Sequence, residues 1–262
     1  MNIIRRELRS HWIHLLIWSL AFFMMSYAAI IKFDSIITTG PEVLALLNSF
    51  PRILLALFGM VDVDIATLPG YFSVVALYLM LMAASHGMFL GIRLFAREEQ
   101  DKTADFLLVK PRTRRAIFWN KVMAGILMIL ILQGVLLLVN NLALRKYLPD
   151  ARLMLFNYTL AFVVVHGLFF AIGVWLISRG DRKKVDSIGL AIILVSYFVP
   201  VIANLSESFM VLKDWFPLNA FLQADMAEAS GTPYLKLAIG LFISVVALLW
   251  GQRRFEKKDI LT

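Results

Sequence analysis

Residues Gly70–Ile92 read GYFSVVALYLMLMAASHGMFLGI, and Arg93–Arg115 follow as RLFAREEQDKTADFLLVKPRTRR. The first stretch runs 23 residues without a formal charge, where about 20 suffice to cross ~30 Å of hydrocarbon as a helix. The second gathers acids (Glu98, Glu99, Asp101, Asp105), bases, a short apolar run from Phe106 to Val109 and Pro111 into one island. At Ala116 the apolar character resumes. A span, a patterned polar island and a second span define an all-α integral membrane protein, since a lone helix can satisfy its own backbone in lipid.

Working outward, 60% of the 262 residues are hydrophobic and the mean hydropathy is +0.78, above the ~45–50% apolar content of soluble domains. The apolar residues gather into six spans, at Ile13–Ile31, Gly70–Ile92, Ala116–Leu144, Leu153–Ile177, Ser187–Ala203 and Pro233–Trp250, within one membrane domain over 1–262. The third is long for one crossing, so its first turns are expected in water, beneath Lys121. With the N-terminus inside, 19 of the 26 Lys and Arg fall in inner segments, which predicts both termini on the cytoplasmic side. The formal charge of +8 is then topology bias and attraction to anionic lipid rather than a nucleic-acid footprint.

Ahead of the first span, Ile4, Leu8, Trp12 and Leu15 share one helical face beside Arg5, Arg6 and Arg9, the pattern of an amphipathic helix in the headgroup plane. Pro41–Met60 is apolar but carries Asn48, Pro51 and Arg52 at its centre, so it reads as a broken outer-face helix rather than a seventh span. Asn204–Thr232, broken at Pro217, reads as its counterpart after the fifth span.

Several chemistries are absent. There is no phosphate-cradling G-x-x-x-x-G-K-[ST] and no H-E-x-x-H, and without cysteine there is neither a disulfide nor a thiolate metal site. No catalytic residues, metal ligands or cofactor are therefore assigned to this chain. No Asp or Glu lies inside the six spans, which disfavours an ion-coupled carrier. The polar groups that do lie there include Ser85, His86, Gln133, Asn140, Asn141, His166, Ser196 and Tyr197. Two roles suit them, bonds between helices or the lining of a path. Gly87 and Gly91 form a G-x-x-x-G that admits a close helix neighbour, in this chain or in a second copy.

The island supports two readings on residue physics. Asp101 or Thr103 can cap a short helix, Phe106, Leu107 and Leu108 give it an apolar surface, and Lys110 before Pro111 ends it. Such an element could plug a groove in a soluble partner, or it could be a solvated loop whose bases set topology. Glu98-Glu99-x-Asp101-Lys102-Thr103-Ala104-Asp105-Phe106-Leu107-Leu108-x-Lys110-Pro111-x-x-Arg114, with Lys121 beyond it, resembles the first cytoplasmic loop of ABC-2 type permeases. Arg253-Arg254-Phe255-Glu256-Lys257-Lys258-Asp259-Ile260 is similar to the tail of that family.

The resemblance implies a permease subunit of an ATP-binding cassette exporter in a bacterial cytoplasmic membrane. It implies a coupling helix near Thr103–Val109, with Arg97, Glu98, Glu99 and Arg114 holding the ends of its loop. Two ATPase subunits would bind the ATP and Mg, and a second permease copy or a related permease would complete the complex. Spans two and five would line the path, making Ser85, His86, Ser196 and Tyr197 the candidates for it. The alternative is a membrane scaffold or sensor that uses the same loop to recruit a cytoplasmic partner without transport.

Overall fold

The computed structural model describes residues 3–38, 42, 45–47, 49–100, 113–147, 151–180, 182–205, 215–221 and 233–257. Among them are helices and no strand. In chain order these are α1 (Ile3–Ile31), α2 (Phe33–Thr38), α3 (Arg52–Leu57), α4 (Leu68–Gln100), α5 (Arg114–Ala143), a 3-10 turn (Arg145–Tyr147), α6 (Arg152–Ile177), α7 (Arg182–Ala203) and α8 (Tyr234–Lys257). Six of them are long and apolar enough to cross a membrane, namely α1, α4, α5, α6, α7 and α8.

The helices overrun the apolar runs because charge limits a span, not a helix. Helix α4 begins at Leu68 and continues past Ile92 to Gln100. Thr113 starts α5, its hydroxyl accepting from the Ala116 N–H at 3.2 Å, which supplies one of the donors a helix start leaves open. At the N-terminus, α1 is a single helix through Ile31 with no break between an in-plane segment and a span. Glu7, His11 and Phe22 are buried and Ile4, Leu8 and Leu15 pack on the core, whereas Trp12 faces outward at 55% exposure. The packed stripe thus centres on Leu8 and His11, and Trp12 sits at its edge.

The bundle is built around α4 and α6. Helix α6 is apolar on all sides and buries Phe162, Val165, Phe169, Phe170 and Val174, as expected of a helix surrounded by others. Against it α4 presents Gly87 and Gly91. A Cβ at Gly87 would stand 2.5 Å from the His166 carbonyl oxygen. Cβ atoms at Gly91, toward the Phe170 carbonyl, and at Gly173, toward the Met88 carbonyl, would be closer still. The neighbour of the G-x-x-x-G is therefore α6 of the same chain.

Around this pair stand α1 and α5, which pack on each other, α8 against α6, and α7 against α4. Ser26 Oγ donates to Asn140 Oδ1 at 2.5 Å, joining the C-terminal parts of α1 and α5, so the two run parallel. At that end Lys146 Nζ and the Tyr147 hydroxyl both donate to Asp34. Desolvation and the bond to Asp34 push the Tyr147 pKa up to about 12.

The two segments expected on the outer face differ in how much of them is described. Helix α3 follows Pro51, and its Ala56 is buried. Residues 215–221 form turns that bury Leu218, Ala220 and Phe221.

Candidate translocation face and coupling end

On an α-helix, 3.6 residues make a turn, and Tyr78, Met82, Ser85, Phe89 and Arg93 of α4 fall within about 80° of one another. The first four are half-buried and Arg93 is exposed, while their helix neighbours Leu79, Met80, Ala84, Met88 and Ile92 are buried. The flanking helices define what this face looks onto. On one side α7 brings Gly189 against Met88 and Ile92, where a Cβ would meet both side chains. On the other, α1 sets the Trp18 ring edge-on to His86, with centroids 5.1 Å apart. The stripe lies in the gap between α1 and α7.

The four path candidates are placed differently by this geometry. Ser85 lies on the stripe, its hydroxyl turned back to donate to the Leu81 carbonyl at 2.8 Å. Tyr197 of α7 is half-buried, close enough to Tyr78 to act on it electrostatically, and its hydroxyl donates to the Leu57 carbonyl of α3. Pro200 lies three residues further on inside α7. Lacking an N–H, it leaves the Ser196 carbonyl without its helical bond and weakens the backbone there. Ser196 itself is buried at 6% exposure.

His86 points away from the stripe into the α4–α6 contact. The Gln133 amide Nε2 of α5 donates to His166 Nδ1 at 2.8 Å. The His166 proton is thereby placed on Nε2, where it donates to His86 Nδ1 at 2.7 Å. Three helices are joined by this ladder of neutral groups. Asn140 bonds across helices as well, whereas Asn141 donates to the Leu137 carbonyl of its own helix.

At the opposite end of α4, the helix ends that flank the island are tied together. Lys121 of α5 is buried at 1% exposure, donates to the Leu94 carbonyl of α4 and sits 5.3 Å from the Phe95 ring centroid. Phe95, Phe118 and Phe255 form a ring cluster, with centroids 5.1, 5.6 and 5.7 Å apart. Trp119 Nε1 donates to Gln252 Oε1 at 2.9 Å, and Gln252 Nε2 to Glu256 at 2.9 Å.

Of the residues assigned to coupling, Arg114 begins α5 and donates to the Glu256 carbonyl at 3.2 Å. Arg97, Glu98 and Glu99 fall in the last turn of α4. Asp101, Thr103, Asp105, Phe106, Leu107, Leu108 and Pro111 lie outside the described residues.

Sequence reasoning missed Tyr78, Met82, Phe89 and Arg93 as one face. Their signal was the three- and four-residue spacing of Tyr78, Met82, Ser85, Phe89 and Arg93, which marks one helical face but not the limits set by α1 and α7. It also missed Trp119 and Gln252, whose partnership spans 133 residues.

A bundle of six helices long and apolar enough to cross a membrane is the architecture of a multi-pass membrane protein. The family model described as ABC-2 family transporter protein matches residues 1–260, and the chain belongs to that family. Members are the transmembrane components of ABC transporters, which work with ABC ATPase partners. No curated protein matches the chain.

Proposed function

We propose that the chain is the permease subunit of an ABC exporter, with both termini and the 97–115 island on the cytoplasmic side of a bacterial inner membrane. A second copy or a related permease completes the path, and two separate ATPase subunits carry the ATP and Mg. The observation that carries this reading is the unbroken course of α4 from Leu68 to Gln100. One rod about 50 Å long bears the candidate translocation face and runs into the island. The Lys121–Leu94 bond and the Phe95–Phe118–Phe255 cluster fasten α5 and α8 to its inner end. A push delivered to the island moves these three helix ends together, and α4 carries it to the stripe. There Tyr78 and Tyr197, the latter held to α3, mark the outer closure.

The docking half of this reading is tested by isolating the tagged chain from native membranes in mild detergent and identifying stoichiometric partners. A soluble P-loop ATPase is expected with the unaltered chain and is expected to be lost with Leu107→Asp, which leaves membrane insertion intact. Recovery of the ATPase at full yield with Leu107→Asp would sink the docking assignment. A chain recovered with no ATPase, under conditions that hold a known exporter together, would leave the non-transporting scaffold as the better account.

A further inference from the structure

The stripe on α4 has a charge pattern as well as a shape. From Tyr78 through Met82, Ser85 and Phe89 it is aromatic, thioether and hydroxyl surface, and at its inner end stands Arg93. Among the described residues no carboxylate pairs with Arg93. Acids do stand on the flanking helices: buried Glu7 of α1 lies 2.6 Å from Arg6 and 3.9 Å from His11, Asp186 precedes Gly189 by one turn on α7, and Glu256 of α8 accepts from Gln252. On α1 His14 is exposed, with its ring 6.2 Å from that of His11. Arg93, His11 and His14 all lie within electrostatic range of His86. From the α7 side Gly189 packs on Met88 and Ile92.

An exposed cation that has no counter-ion among the described residues, at the foot of an apolar face, is complementary to an anion. The geometry adds a length. From Arg93 to Met82 is about 16 Å along the helix axis, close to half of the ~30 Å hydrocarbon core. A molecule whose head meets Arg93 at headgroup depth therefore lays a body one leaflet long on Phe89, Ser85 and Met82.

We propose that this face takes an amphipathic anion, an acidic head on the Arg93 guanidinium and an apolar body along Phe89 and Met82. The proposal rests on the reading of the stripe as the translocation face and adds the class of cargo. Arginine suits the role because its planar fork meets a carboxylate or a phosphate with two parallel hydrogen bonds. A cationic amphiphile of equal length meets Arg93 with like charge, and a neutral one leaves the guanidinium unused.

The chain has no cysteine, so Ser85→Cys gives a single labelling site on the stripe itself. The full-length variant, labelled with an environment-sensitive fluorophore, is placed in nanodiscs of zwitterionic lipid. It is then titrated with dodecyl phosphate, dodecyltrimethylammonium and dodecyl maltoside. Dodecyl phosphate is expected to shift the label at about tenfold lower concentration than the other two, a difference of ~1.4 kcal/mol. Arg93→Gln is expected to erase that preference and Arg93→Lys to keep most of it. An unchanged preference in Arg93→Gln overturns the proposal. A shift of equal midpoint with all three amphiphiles also overturns it, but leaves the stripe as the translocation face. No shift with any of them removes that reading too. Discs doped with phosphatidylglycerol separate cargo from resident lipid: if the doping abolishes the dodecyl phosphate response, the anion held there is bilayer lipid and the cargo assignment falls.

Discussion

His166 shows how one residue can hold three helices. It is fully buried, takes the Gln133 amide on one ring nitrogen and gives a proton to His86 from the other. Replacing it with leucine leaves two buried polar groups without partners, at about 1–3 kcal/mol each. His86→Leu leaves one. His166→Leu is thus expected to lower stability in detergent by more than His86→Leu, by roughly 1–3 kcal/mol. The double change, which leaves only the Gln133 amide without its partner, should fall short of the sum of the two single losses. Reversible unfolding followed by tryptophan fluorescence would check the order, and a His86→Leu loss equal to that of His166→Leu would discard the ladder as drawn. Both histidines were recognisable from sequence as polar groups that need a partner in lipid. That they partner each other was not, because 80 residues separate them and helical periodicity says nothing at that range. Ser85 and Asn141 met the same need differently, through their own helix backbone, so the need does not dictate the geometry.

At the level of elements, the α4–α6 contact depends on backbone meeting backbone. The sequence displayed half of the device, Gly87 and Gly91, whereas the other half, Gly173, shares α6 only with Gly167, six residues away, and forms no G-x-x-x-G. The six spans were legible because lipid demands uncharged runs of about 20 residues. Their helical ends were not, since Arg93 through Gln100 remain helical after the apolar run stops, and a water-exposed turn costs a helix little. The unbroken α1 escaped for the same reason: hydrophobic pattern shows where a helix may lie but not whether it bends on leaving the headgroups. Gly91→Val tests the contact. Overpacking typically costs about 1–3 kcal/mol where backbone cannot move, so this variant should unfold at a lower temperature and give less monodisperse protein. Gly134→Ala is the matched control, because a Cβ there has nothing within 4 Å. Equal melting temperatures for the two variants would show that α4 and α6 are not packed on these glycines.

For the whole molecule, the question is which surface meets a second permease. Large apolar side chains are exposed on α1, α5, α7 and α8, as any lipid-facing surface requires, so exposure alone does not select an interface. The α4 stripe differs in being recessed between α1 and α7 and in ending at an arginine, a poor surface for lipid tails and a suitable one for half of a shared path. If two copies face each other across it, Phe89 of one copy approaches the stripe of the other. Leu130, half exposed on α5, then points away from the pair. Because the chain contains no cysteine, each position can be examined by itself. Phe89→Cys in native membranes is expected to yield a disulfide-linked dimer with a mild oxidant, and Leu130→Cys to remain monomeric on denaturing gels. Stronger cross-linking at Leu130→Cys would place α5 at the interface instead, and the stripe would then open to lipid rather than to a path. Cross-linking at neither position, with the ATPase still bound, would mean that a related permease rather than a second copy supplies the opposite wall. In that case the same Phe89→Cys chain should cross-link to the partner that copurifies with it, provided the partner carries a cysteine on its own face, natural or introduced.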